Sequence, residues 1–83
     1  MEFKFDWSAA KRYDDPDRMA QTQRVPVNEK GTPVLVVISH EAIEEGITET
    51  QIRSIAEKKI RRYATGRSLI PSEVIIGTED LEP

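Results

Sequence analysis

Six basic residues, close together in the second half of the chain, are the strongest candidate for a binding function. They are Arg53, Lys58, Lys59, Arg61, Arg62 and Arg67. Lys58, Arg61 and Arg62 can share the solvent side of one helix, because side chains three and four residues apart are neighbours on a helix surface. Lys59 could join them. Such a set could bind an acidic protein partner or phosphates, or be the solvated side of a helix whose cations stabilise its C-terminal end.

The charge distribution favours a protein partner over nucleic acid for this set. The net charge is −3, and residues 73–83 carry four acidic side chains and no basic one. A general nucleic-acid binder is expected to show a basic excess over the whole domain. The acidic C-terminal residues could also fold back on the basic set. We therefore rank a solvated helix side first, a protein partner second and nucleic acid third.

Residues with catalytic or metal-binding chemistry do not form a recognisable set. Ser39, His40 and Glu41 are the residue types of a catalytic triad, but neighbours at a helix start point in different directions, and a nucleophile and its base need hydrogen-bond reach. Three nearby aspartates, Asp14, Asp15 and Asp17, lack the glycine and distal glutamate of a calcium loop. The glycines are scattered, without a phosphate-binding cluster. The sequence predicts no catalytic, metal or cofactor site, and a protein that is not an enzyme.

Length and composition predict one small intracellular domain. Eighty-three residues, of which 37% are hydrophobic and 33% charged, can bury one modest core. There is no cysteine to form disulfides or thiolate metal sites. The N-terminus lacks the apolar stretch of a secretory signal, and the longest apolar run, 34–38, is far shorter than the roughly 20 residues that cross a bilayer. We expect a cytoplasmic protein without membrane association.

The first 20 residues can be read in two ways. Phe3, Phe5 and Trp7 alternate with charged residues at the period of a strand, whereas Ser8 could cap a helical turn that runs to residue 13. The strand is slightly favoured. The segment 14–17 then interrupts the chain, because Pro16 disfavours helical geometry in the residue before it.

A β-hairpin is the next predicted element. Residues 21–27 form its first strand, with Pro26 expected at a sheet edge or where no ladder hydrogen bond is needed. The segment 28–31, Asn-Glu-Lys-Gly, is a turn. The second strand, 32–38, contains five consecutive apolar residues, which is typical of a central strand buried on both faces.

Two helices and a final strand complete the predicted core. Ser39 can cap a short helix over 40–45, and Gly46 can end it. Thr48 and Gln51 have the spacing of a capping box at the start of a long helix over 49–65. A last strand is predicted over 73–78, and the tail 79–83 is expected to be loose.

These elements predict an α+β fold, with a small antiparallel sheet of three to four strands and with the short and the long helix packed on one face. Residues 1–20 form an N-terminal strand and turn segment, 21–78 the α+β core and 79–83 an acidic tail, all in a single domain. Val36 and Ile55 are expected in the core.

From about residue 25 onward, over some two-thirds of the chain, the sequence resembles the uncharacterised bacterial family named domain of unknown function 1488. The similar features are Trp7 near the start, the turn 28–31, the segment 38–43 (Ile-Ser-His-Glu-Ala-Ile), the helix 52–60 and the final strand with its acidic pair, 74–81. The resemblance implies an α+β fold and carries no known activity, cofactor or site residue.

The function that these observations favour is that of a non-enzymatic protein-interaction or regulatory module, of the kind found among small phage- or plasmid-type accessory proteins. A protein partner, or a second copy of the chain, is expected at the basic helix or at a sheet edge. The alternative is a nucleic-acid-associated protein that uses the basic face of the long helix.

Overall fold

The chain folds into a four-stranded sheet and two α-helices, which confirms the α+β prediction. A computed structural model describes residues 2–66 and 69–82. The strands are β1 (Arg12–Asp15), β2 (Ala20–Val27), β3 (Thr32–Ser39) and β4 (Glu73–Ile76), and the α-helices are α1 (His40–Glu44) and α2 (Glu49–Ala64). Three short 3-10 turns cover Trp7–Ala9, Pro16–Arg18 and Thr78–Leu81.

The sheet has the order β1-β2-β3-β4 and is mixed. The first three strands are antiparallel, but β4 pairs with β3 in the parallel direction, so the prediction of a wholly antiparallel sheet is wrong for the last strand. The reason is the connection: two helices carry the chain back across the sheet between β3 and β4, which is the crossover that parallel neighbours require. β3 is central, as predicted.

Local sequence signals account for the helix limits and the hairpin. The Ser39 hydroxyl accepts the Ala42 N–H at 3.1 Å, which caps α1. At α2 both bonds of the predicted capping box are present. The hairpin turn begins at Asn28, and β2 lies inside the sheet. Its Pro26 stands opposite Pro33, where β1 no longer runs beside β2, so the missing N–H costs the ladder nothing.

The hydrophobic core lies between one face of the sheet and both helices, as predicted. The sheet contributes Val25, Val27, Val34, Val36, Ile38, Val74 and Ile76, and the helices contribute Ala42, Ile52, Ala56 and Ile60. Val36 is fully buried, which confirms its core position. Ile55 is partly buried and packs against the rim of the cluster, so it is a peripheral core residue.

Both terminal segments are more ordered than the sequence suggests. Residues 2–20 hold both predicted alternatives, an extended Phe5 that bridges to Val27 and a helical turn at Trp7, and also the unpredicted strand β1. The tail was expected to be loose. Instead it forms the third 3-10 turn, and Leu81 packs against the core cluster.

Candidate interaction surfaces

The solvent side of α2 carries three of the six predicted basic residues. Lys58, Arg61 and Arg62 are exposed, as the helical spacing predicted, and lie toward the C-terminal end of α2. Within the described residues, Lys58 and Arg62 have no ion pair or side-chain hydrogen bond. Arg67 lies outside the described residues.

Two of the arginines are engaged by aromatic side chains of the N-terminal segment. The Arg53 guanidinium lies 5.7 Å from the Trp7 ring centroid, and that of Arg61 lies 5.2 Å from the Phe5 ring centroid. Between them, Glu57 accepts the Trp7 indole N–H at 2.8 Å and pairs with Arg61 at 3.4 Å. These cations help to hold the N-terminal segment against α2, since arginine over an aromatic face is attractive.

Lys59 is turned to the other side of α2, toward β4. Its Nζ lies 3.1 Å from Asp80 Oδ2 and donates to the Ile75 carbonyl oxygen at 2.8 Å. The expectation that the acidic tail could fold back on the basic residues is therefore confirmed for this pair. The basic set is not one surface: it divides between the aromatic segment, the solvent and the tail.

The sheet face away from the helices carries an apolar row that sequence analysis did not single out. Pairing places Tyr13, Thr22, Val37 and Ile75 side by side across all four strands. Their neighbours Val36 and Val74 point into the core, so this row points away from it. Tyr13 is 64% exposed and Ile75 59% exposed, at opposite ends of the row. We call this surface, residues 13, 22, 37 and 75 with Leu35, the open face.

One ion pair spans the open face. Arg18 Nη1 lies 2.8 Å from Glu73 Oε1, and Arg18 Nε lies 3.4 Å from Asp15 Oδ2. The hydrogen bond and charge of Glu73 raise the pKa of Arg18 above its ordinary value. The turn that carries Arg18 follows β1, whereas Glu73 lies on β4, so this ion pair spans the open face. Val37, within the row, is only 6% exposed. The positive charge of Arg18 is thus shared by two carboxylates beside the open face.

A polar cluster stands at the start of α2. Glu49 accepts hydrogen bonds from Arg12, from Arg53 at 3.0 Å and from Gln23 at 3.4 Å. Partial burial raises the pKa of Glu49, but these hydrogen bonds outweigh it, and the net pKa is lowered. Gln23 is 3% exposed, and its Oε1 has no hydrogen-bond partner among the described residues. The arrangement joins β1, β2 and α2 and is structural in character.

The triad residue types do not form a catalytic arrangement. The Ser39 hydroxyl caps α1, whereas His40 Nε2 lies 3.0 Å from Asp14 Oδ1. Of the three neighbouring aspartates, Asp15 pairs instead with Arg18. Across residues 2–66 and 69–82, no three histidine, aspartate or glutamate side chains are grouped so that they could hold a metal ion. Nor does any helix in those ranges have the length and apolar character needed to cross a bilayer.

Comparison of the chain with protein-family models, with curated proteins and with solved structures gives no match. The resemblance to domain of unknown function 1488 stays a prediction. The one sequence signal for the open face was the run of five apolar residues at 34–38, since alternate members of a strand must point to opposite faces.

Proposed function

We propose that the protein is a non-enzymatic protein-interaction module that associates with a second copy of itself through the open face. The observation that carries the proposal is the pair of large apolar side chains, Tyr13 and Ile75, left exposed at the two ends of one row. Apolar side chains exposed on the same face of a sheet are candidates for burial against a partner.

The open face is self-complementary. In a two-fold arrangement of two stacked sheets, β1 of one copy lies over β4 of the other. Each Tyr13 then meets the partner copy's Ile75, while Val37 is already buried within each copy. This pairing buries both exposed apolar side chains of each copy at once.

The charges at the open face favour a protein surface over a polyanion. Arg18 is paired with both Asp15 and Glu73. Arg24 stands opposite Leu35 and is exposed on the same face, without an ion pair among the described residues. The two carboxylates balance the two arginines, so no net positive charge is left there to attract phosphate. A face whose Arg18 is held in ion pairs and whose apolar side chains are exposed at its ends suits a protein surface, because the fully buried part of such an interface is depleted of unpaired charge.

The size of the open face sets the expected strength. Four strands about 4.8 Å apart and about five residues long cover roughly 300 Å². A stable interface of standard size takes about 800 Å² from each partner. We therefore expect a weak dimer, with a dissociation constant in the micromolar range or weaker, that depends on few side chains.

Sedimentation velocity over a range of protein concentrations tests the proposal. Tyr13→Ser and Ile75→Ser should each weaken the dimer by roughly tenfold or more, because each removes apolar burial twice per dimer. Leu69→Ser is a matched control, since Leu69 is 63% exposed and lies between α2 and β4, off the open face. A wild-type protein that stays monomeric, or variants that dimerise as the control does, would overturn the proposal.

A second candidate function, binding of nucleic acid, is supported by the exposed cations of α2, of which Lys58 and Arg62 have no ion pair among the described residues. It is weakened by the spread of the other cations around the helix and by the net charge of −3. DNA titration at two salt concentrations tests it, since phosphate contacts make affinity fall steeply with salt.

A cytoplasmic location likewise stays a prediction.

A further inference from the structure

The outer edge of β4 differs from an ordinary sheet edge because side chains already occupy part of it. Leu35 N donates to the Ser72 carbonyl at 2.9 Å, which fixes the pattern of the parallel ladder. Residues 72, 74 and 76 therefore direct their backbone groups to β3, and residues 73, 75 and 77 direct theirs outward. Outward groups of this kind would normally be free to pair with another strand.

Two of these outward groups are bonded by one ion pair. The Ile75 carbonyl accepts Lys59 Nζ at 2.8 Å, and the Gly77 N–H donates to Asp80 Oδ2 at 3.0 Å. The same two side-chain atoms, Lys59 Nζ and Asp80 Oδ2, lie 3.1 Å apart. Lys59 thus supplies a donor to Ile75, and Asp80 supplies an acceptor to Gly77, two residues further on, as a neighbouring strand would.

We propose that the Lys59–Asp80 pair closes the outer edge of β4 and that its release opens this edge to β4 of a second copy. The site differs from the open face, which lies on the surface of the sheet and not at its rim. The pair is partly shielded from water, with the Lys59 and Asp80 side chains 31% and 17% exposed. Solvent screening therefore weakens it less than a fully exposed ion pair.

The edge is self-complementary once Lys59 leaves it. In an antiparallel, two-fold β4–β4 pairing, Glu73 of each copy stands opposite Ile75 of the other. Both residues have outward N–H and C=O groups, so two such pairs exchange four hydrogen bonds. Like charges directly opposite each other would disfavour pairing, and this register places none opposite each other. Lys59 prevents this β4–β4 pairing because it occupies the Ile75 carbonyl, which would otherwise accept a hydrogen bond from the second copy.

Replacement of Lys59 by Met tests the proposal, in a Tyr13→Ser background that weakens association through the open face. Sedimentation velocity should show a dimer at concentrations where the background protein is monomeric, an increase in association of tenfold or more. The matched control is Lys58→Met, which changes the next residue of the same helix and should leave the background monomeric. Association that Lys59→Met adds and Lys58→Met does not add cannot come from the open face, which both variants share, so failure here is distinct from failure of the proposed function.

Amide hydrogen exchange identifies the surface used. In the Lys59→Met dimer, the Glu73 and Ile75 amides should exchange more slowly as the protein concentration rises. Asp80→Asn is the second variant: it keeps an oxygen for the Gly77 N–H but removes the charge that holds Lys59, and should promote the dimer to a smaller extent. If Lys59→Met does not fold, Asp80→Asn becomes the deciding test of the proposal. A folded variant that stays monomeric, or growth beyond a dimer, would overturn the proposal.

Discussion

The two faces of the sheet share the same four strands but have opposite relations to water. On the covered face, Val36, Ile38 and Ile76 are fully buried under α1 and α2. On the open face, the ion pair between Arg18 and Glu73 spans the strands, and Tyr13 and Ile75 remain exposed. Successive residues of one strand thus serve two purposes. The covered face determines stability, and the open face is the surface that we propose for association.

Two adjacent isoleucines of β4 test this comparison directly and should give its largest effect. Ile76 is fully buried on the covered face and Ile75 is 59% exposed on the open face. Ile76→Ala should lower the free energy of unfolding by about 2–5 kcal/mol, because it removes buried methylenes and leaves a cavity. Ile75→Ala should change it by less than about 1 kcal/mol, since an exposed side chain loses little on truncation.

Chemical denaturation of both variants, at a concentration where the protein is monomeric, measures the difference. In a domain of this size a loss at the upper end of that range approaches the whole stability, so Ile76→Val, expected at about 0.5–1.5 kcal/mol, serves as a milder companion. Equal losses in the free energy of unfolding for the two alanine substitutions would mean that the two faces contribute equally to stability.

Local signals in the sequence predicted most of the covered face, because they act over a few residues. The caps at Ser39 and Thr48, the hairpin turn at Asn28 and the apolar spacing of α2 each depend on near neighbours. The parallel direction of β4 was missed because it depends on where two helices return the chain. The strand β1 was missed because its residues, Arg-Tyr-Asp-Asp, have no apolar alternation and are held by pairing with β2.

The candidate sites show the same limit. Helical spacing correctly placed Lys58, Arg61 and Arg62 on the solvent side of α2. It could not show that Arg61 lies over Phe5 or that Lys59 reaches the edge of β4, because these partners are far away in the chain. The open face was also missed, since Tyr13 and Ile75 are brought into one row by three strand pairings.

The polar cluster at the start of α2 sharpens the comparison, because it places a charge beside the covered face. The Glu49 pKa is lowered in the folded protein, so its contribution to stability is fully present above the ordinary value of 4.5 and is lost as the pH falls through the lower folded value. Glu49→Gln should cost about 1 kcal/mol or less at neutral pH, since the side chain is 38% exposed and solvent screens its pairs.

Unfolding of wild type and Glu49→Gln at several pH values measures this contribution. The difference in free energy between the two proteins should shrink toward zero in acid. Glu44→Gln, at an exposed position near the end of α1, is the control and should show no such difference at any pH. A difference for Glu49→Gln that stays constant down to strongly acidic pH would show that the carboxylate charge is not what Arg12 and Arg53 stabilise.

The outer side of α2 should give the smallest effect on stability, because it faces neither side of the sheet. Reversal of both Lys58 and Arg62 to Glu should change the free energy of unfolding by less than about 1 kcal/mol, since exposed charges contribute little individually. The same change should leave dimerisation through the open face unaltered, because α2 lies on the opposite side of the sheet. It would abolish DNA binding if the second candidate function were correct, since two phosphate contacts would become repulsive. Weakened dimerisation in sedimentation would instead show that the partner copy rests on the helix layer, and the assignment of the two faces would have to be reversed.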